Sequence, residues 1–95
     1  MKIEWTRRAT RHLRAAYDYW SRERSPEAAQ AMLRRIFSEV ELLTSNPELG
    51  RAGRTPGTRE LVLAPMPFVL AYRIHKNKID VLAVLHGSRK WPGRF

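Results

Sequence analysis

The chain has 95 residues, 43% of them hydrophobic, which suits one domain (1–95) with a single core and is too apolar for a disordered chain. It has no cysteine, which excludes disulfides and thiolate metal sites, and no apolar run near the roughly 20 residues that span a bilayer. Eighteen Lys and Arg against nine Asp and Glu give a net charge of +9, so the expected partner is a polyanion or an acidic protein, the bland alternative being a solvated basic surface.

Met1 to Trp5 is not followed by the apolar core of a signal peptide, and the expectation is a soluble, cytoplasmic protein. Lys2 to Trp5 reads as a short strand with Ile3 and Trp5 on one face. Thr6 can cap the helix that follows, where Ala9, Leu13, Ala16, Tyr17 and Trp20 recur at helical spacing. His12 lies off that stripe and reads as a surface residue, because no second His stands at metal-ligand spacing on this helix. Ser25-Pro26-Glu27 starts a second helix as cap, first helical residue and first-turn acid. Its apolar face is Ala29, Met32, Leu33, Ile36, Phe37, Val40 and Leu43, and Thr44 to Pro47 ends it. Few residues separate the two helices, so they form an antiparallel hairpin.

Glu48 to Gly57 reads as an irregular loop in which Arg51 and Arg54 stand among glycines, either holding phosphate or simply basic. Thr58 to Ala64 is a strand with Arg59, Leu61 and Leu63 on one face and Glu60 and Val62 on the other. Phe68 to Ile74 and Ile79 to Leu85 are strands rich in β-branched and aromatic residues. A two-residue turn at Lys76-Asn77 pairs Ile74 with Ile79, Tyr72 with Val81, Leu70 with Ala83 and Phe68 with Leu85. One face of that hairpin then carries Phe68, Leu70, Tyr72, Ala83 and Leu85; the other carries Val69, Ala71, Leu82 and Val84. Helices cover the first face, and a partner chain is the natural cover for the second. The fold class is α+β, in the order β-α-α-β-β-β, with the helical hairpin packed on a mainly antiparallel four-stranded sheet.

No established catalytic motif, metal cluster or phosphate-binding glycine loop appears, and no cofactor is expected. What remains is a basic set: Arg51, Arg54, Arg59, Arg73, His86 and Arg89. A metal-free ribonuclease needs a proton carrier and cations for the phosphorane charge. His86 suits the first task and the arginines the second. Each has a structural reading beside it. Arg73 falls opposite Asp80 as a cross-strand ion pair, and His86 can hydrogen-bond the chain turn at Gly87. Trp91 packs the tail on the core or stacks on a base.

Three strings, Asn46 to Arg51, Gly57 to Leu61 and Val84 to Pro92, with the strand Pro67 to Arg73 before the last, resemble the RelE/ParE superfamily of toxins from bacterial type II toxin–antitoxin modules. The likeness runs over essentially the whole chain and leans to the ParE branch. It implies a small basic toxin, inhibiting DNA gyrase without a reaction of its own and neutralised by an acidic antitoxin. That antitoxin is expected on Val69, Ala71, Leu82 and Val84 or on the helical hairpin. The alternative within the superfamily is ribosome-dependent mRNA cleavage, which would use His86, Arg59, Arg73 and Arg89. Target or nucleic-acid contacts would fall to Arg51, Arg54, Arg59, Arg89 and Trp91. Basic positions of the cutting branch fall here on Val69 and Leu61, and the C-terminal Tyr position is Phe95, which weakens the nuclease reading.

Overall fold

A computed structural model describes residues 1–95. The elements are β1 (Lys2–Trp5), α1 (Arg7–Glu23), α2 (Pro26–Glu41), β2 (Arg51–Ala52), β3 (Arg59–Val62), β4 (Phe68–His75) and β5 (Lys78–His86), with a 3-10 turn at Leu42–Thr44. Both helices begin as their caps dictate. Thr6 Oγ1 accepts the Ala9 N–H at 3.1 Å, and Ser25 Oγ accepts the Ala28 N–H at 3.0 Å. Only Arg24 and Ser25 join the helices, so α2 turns back on α1.

The sheet has five strands in the order β1-β5-β4-β3-β2, one more than the sequence reading gives. The additional strand is Arg51–Ala52, inside the expected loop, which pairs antiparallel with Glu60 and Arg59. A two-residue edge strand leaves no hydrophobic alternation to read. β1 pairs parallel with β5, and the other pairs are antiparallel. The β4–β5 turn is as expected: Lys76 and Asn77 have φ of 49° and 61°, which sets Ile74 opposite Ile79.

Beyond Tyr72 the register departs from the expected one. Tyr72 pairs with Val81, but Ala71 pairs with Ala83, so Leu82 is an extra residue on β5. Leu70 then faces Val84, Val69 faces Leu85, and Phe68 faces His86. This bulge re-sorts the faces. Val84 joins the helix-side core with Ile36, Leu70, Tyr72 and Val81, whereas Ala83 and Leu85 join Ala71 and Leu82 on the other side. Val84 therefore does not belong to the second face, and Ala83 and Leu85 do.

The chain itself covers that second face, where a partner chain was expected. Trp91 and Phe95 of the tail pack on Ala71, Leu82, Ala83 and Leu85. Thr55 Oγ1 donates to Pro92 O at 2.7 Å and Arg54 Nη1 to Gly87 O at 3.1 Å, which hold the tail down. On the helix side the core is built as the helical spacing predicts, from Ala29, Met32, Ile36, Val40 and Leu43. Phe37 is the exception: it is 47% exposed and stands edge-on to Trp5 at 5.6 Å.

Candidate functional site

Apart from Arg73, the basic set is divided among three places. The first is a cluster around Glu60 on the tail side of the sheet. β2 puts Arg51 directly opposite Glu60, and the loop after it brings Arg54 round. Arg51 Nη2 donates to Oε1 at 3.0 Å. Arg54 donates its backbone N–H to Oε2 at 2.7 Å and its Nε to the same oxygen at 3.1 Å. The Glu60 side chain is 1% exposed, against 60% for Arg51 and 41% for Arg54. Burial alone would raise the Glu60 carboxyl, but the hydrogen bonds from Arg54 and Arg51 outweigh it and hold it below the usual range. The Arg54 guanidinium also stacks on Trp91, 3.9 Å from the ring centroid. Arg54 is thus committed to Glu60, Gly87 and Trp91. Arg51 keeps an open side toward solvent.

The second place is the edge near Gly50. Arg59 donates to Gly50 O at 2.9 Å and pairs with Glu48 at 3.5 Å. Beside it the buried Tyr72 hydroxyl accepts the Gly50 N–H at 2.8 Å and donates to Pro47 O at 2.7 Å. Burial pushes the Tyr72 phenol up, against the hydrogen bond from Gly50. A Cβ at position 50 would stand 2.7 Å from Tyr72 Cε1 and 2.8 Å from Glu60 O, so only glycine fits. Arg73 lies on the opposite face, with Nε 3.6 Å from Asp80 Oδ2, as its register position predicts.

The third is a groove of about 1080 Å³ along α1, bounded by the loop before β4 and by the end of β5. His12, Trp20, Phe68, His86 and Arg89 line it. His86 Nδ1 accepts the Ser88 N–H at 3.2 Å, the turn contact expected of it. The Arg89 side chain is exposed and free of protein partners. His12 is not the surface residue expected. It is half-buried, and its Nδ1 accepts the Val84 N–H just past the bulge at 3.2 Å. Burial, then Arg8, Arg89 and Arg11, lower its proton affinity and keep the ring neutral. Periodicity gives no sign of this role, nor of the Glu60 cluster. The opposite charges of Arg51 and Glu60 become a signal only once β2 is known. Of the apolar candidates, Ala71 and Leu82 are buried beneath the tail, Val69 is buried opposite Leu85, and Val84 lies in the helix-side core.

A basic chain with this helical hairpin, this sheet and this tail has clear relatives. The family described as ParE toxin of type II toxin-antitoxin system, parDE, matches residues 3–91. The chain belongs to the ParE toxin family. It is 40% identical over 91 residues to the candidate toxin Y4kP of Sinorhizobium fredii, covering 96% of this chain and 93% of the relative. It is 35% identical over 88 residues to Toxin RelE2 of Caulobacter vibrioides, covering 93% and 97%. A chain from the solved chromosomal ParDE TA system of P. aeruginosa superposes with a TM-score of 0.83 at 32% identity, over 90% of this chain and 95% of that one. The ParE fold accounts for the helical hairpin on the mixed sheet. The Glu60 cluster and the His12 contact are read from this chain's own side chains.

Proposed function

We propose that this ParE-family toxin acts in the cytoplasm by binding DNA gyrase and inhibiting it, with no reaction of its own, and that a cognate acidic antitoxin neutralises it. The observation that carries this reading is that the residues a nuclease would need do not converge. Arg73 and His86 stand on opposite faces of the sheet, since Arg73 alternates with Tyr72 while His86 pairs with Phe68 on the helix side. Arg59 pairs with Tyr72, so it is four residues from the level of the Phe68–His86 pair, about 13 Å along the strands at about 3.3 Å per residue, and, being on β3, two strands from His86 on β5. A proton carrier at that distance cannot share a phosphate with Arg59. Arg51, Arg89 and the open face of the basic surface remain for target contact.

The antitoxin reading shifts with the tail. Trp91 and Phe95 already cover the sheet face, which favours the outer surface of the helical hairpin. There a shallower groove is lined by Leu13, Arg14, Tyr17 and Leu33 and offers apolar anchors beside a cation. One observation keeps mRNA cleavage as the second reading: His86 and Arg89 share a groove, and a relative carries the name RelE2. A gyrase supercoiling assay run beside a translating-ribosome cleavage assay tests both. Inhibited supercoiling or trapped cleavage complexes with intact mRNA is the expected result. Codon-spaced mRNA cuts with normal gyrase activity would overturn it.

A further inference from the structure

Two imidazoles line one groove, each with its Nδ1 held by the chain. His12 Nδ1 accepts the Val84 N–H and His86 Nδ1 the Ser88 N–H, each at 3.2 Å, and the Ser88 hydroxyl also lies 2.8 Å from His86 Nδ1. With Nδ1 engaged in both, Nε2 of each ring is the atom left for a ligand, and on His12, whose Nδ1 accepts a backbone N–H, it is an N–H donor. Arg89 lines the same groove and joins no ion pair or side-chain hydrogen bond. Arg8, Arg89 and Arg11 are all close enough to His12 to oppose its protonation. This end of the groove therefore sets one free guanidinium, Arg89, beside the two imidazoles.

The other end differs. Trp20 and Phe68 form an aromatic wall, with ring centroids 5.9 Å apart. The Arg24 guanidinium lies 4.6 Å from the Trp20 centroid, so that ring already takes a flat polar group on its face. Glu23 lines the groove beside it and has no ion-pair partner, although the chain carries +9. From His12 to Glu23 is eleven helical residues, about 17 Å at about 1.5 Å per residue. A long apolar groove with a few placed polar groups is the usual form of a small-ligand site.

We propose that this groove binds a nucleoside di- or triphosphate, with the phosphates at Arg89, His12 and His86 and the base against Trp20 and Phe68. The unpaired Glu23 selects this ligand over an acidic peptide. A carboxylate on the rim repels Asp and Glu but accepts hydrogen bonds from an amino-bearing base. Guanine, with two adjacent N–H groups on one edge, matches a carboxylate in a bidentate pair. The separation of the cationic end from Glu23 calls for more than one phosphate. This inference does not depend on the gyrase reading, and either can fail alone.

The test is a titration of the full chain with GDP, UDP, inorganic tripolyphosphate and a Glu-rich octapeptide, followed by 1H–15N NMR. GDP is expected to shift the amides of Val84 and Ser88 and to bind more tightly than UDP. Arg89→Ala, at an exposed position that leaves the fold intact, is expected to weaken GDP about tenfold or more, the loss of one charge-assisted hydrogen bond. Glu23→Gln is expected to erase the preference for GDP over UDP while leaving UDP binding unchanged. Equal binding of GDP and tripolyphosphate, unaffected by Glu23→Gln, would overturn the proposal in favour of a general cationic surface. Tighter binding of the octapeptide in the same groove would overturn it in favour of a protein partner.

Discussion

Replacing Glu60 by Gln keeps its shape and removes its charge, and the cost can be worked from the contacts. Oε1 takes Nη2 of Arg51 at 3.0 Å and Nη2 of Arg54 at 3.2 Å; Oε2 takes the backbone N–H and Nε of Arg54. In the Glu60→Gln variant one acceptor becomes an NH2 group that faces guanidinium donors. Removing one member of a fully buried pair costs about 3–5 kcal/mol. Here both arginines are partly exposed and recover water, which reduces the loss to about 2 kcal/mol. In a domain of this size about 2 kcal/mol lowers the melting temperature by about 8–16 °C.

The assay is thermal unfolding by circular dichroism of wild type and Glu60→Gln at pH 7 and pH 3. The Glu60 carboxyl is held below its ordinary range, so the unfolded chain takes up the proton first as pH falls. Its contribution is whole above the unfolded value, about 4.3, and is lost as pH drops through the folded value. The gap between the two proteins is therefore expected at pH 7 and should narrow at pH 3. Other carboxylates, Glu4 among them, affect both proteins alike and cancel in the difference. A variant melting within about 2 °C of wild type at pH 7 would refute the reasoning, since about 2 kcal/mol predicts several times that. So would a gap that persists undiminished at pH 3.

Four other outcomes follow from single contacts. Tyr72→Phe strands the Gly50 N–H and Pro47 O in a buried site, and chemical denaturation should show a loss of about 1–3 kcal/mol. Gly50→Ala forces a Cβ into Tyr72 and the Glu60 carbonyl, and should cost about 1–3 kcal/mol by the same measurement. Asn77→Val puts a β-branched residue at φ 61° and should lower stability by about 1–2 kcal/mol, seen as a lower melting temperature. His12 has a lowered proton affinity in the folded chain, so wild-type stability should fall as pH drops below about 6.5; His12→Gln, which can still accept the Val84 N–H, should flatten that slope in melts from about pH 7.5 to about 5.5.

What could be read from the sequence is what neighbours in sequence decide. Thr6 and Ser25 cap helices because the amides they accept are three residues away. Lys76-Asn77 makes its turn because Asn tolerates positive φ, and the register holds from there to Tyr72. Arg73 meets Asp80 for the same reason. Leu82 could not be recognised as an extra residue, because nothing near it in sequence marks a bulge. Its stabilising partners sit on the far side of the chain, at Thr6 and His12. Contacts of the candidate site were hidden in the same way: Arg51 and Arg54 read as part of a basic loop until β2 brings them to Glu60, and the second face reads as open until the tail lies over it.

The bulge ties these corrections together. Thr6 donates its N–H and its hydroxyl to Val81 O, at 3.1 and 2.8 Å, and its hydroxyl also lies 3.4 Å from Leu82 O. His12 then takes the Val84 N–H, which the shifted strand turns toward α1. The start of α1 thus accommodates the polar backbone that an extra residue leaves unpaired, and a bulge that would otherwise carry orphan groups becomes stable. Without it Val84 would point to the tail side and Ala83 and Leu85 to the helices. The tail would then lose part of the patch that holds Trp91 and Phe95, and His86 would lose its place opposite Phe68 in the groove. One inserted residue, held by Thr6 and His12, therefore sets both the surface that seats the tail and the groove that carries Arg89.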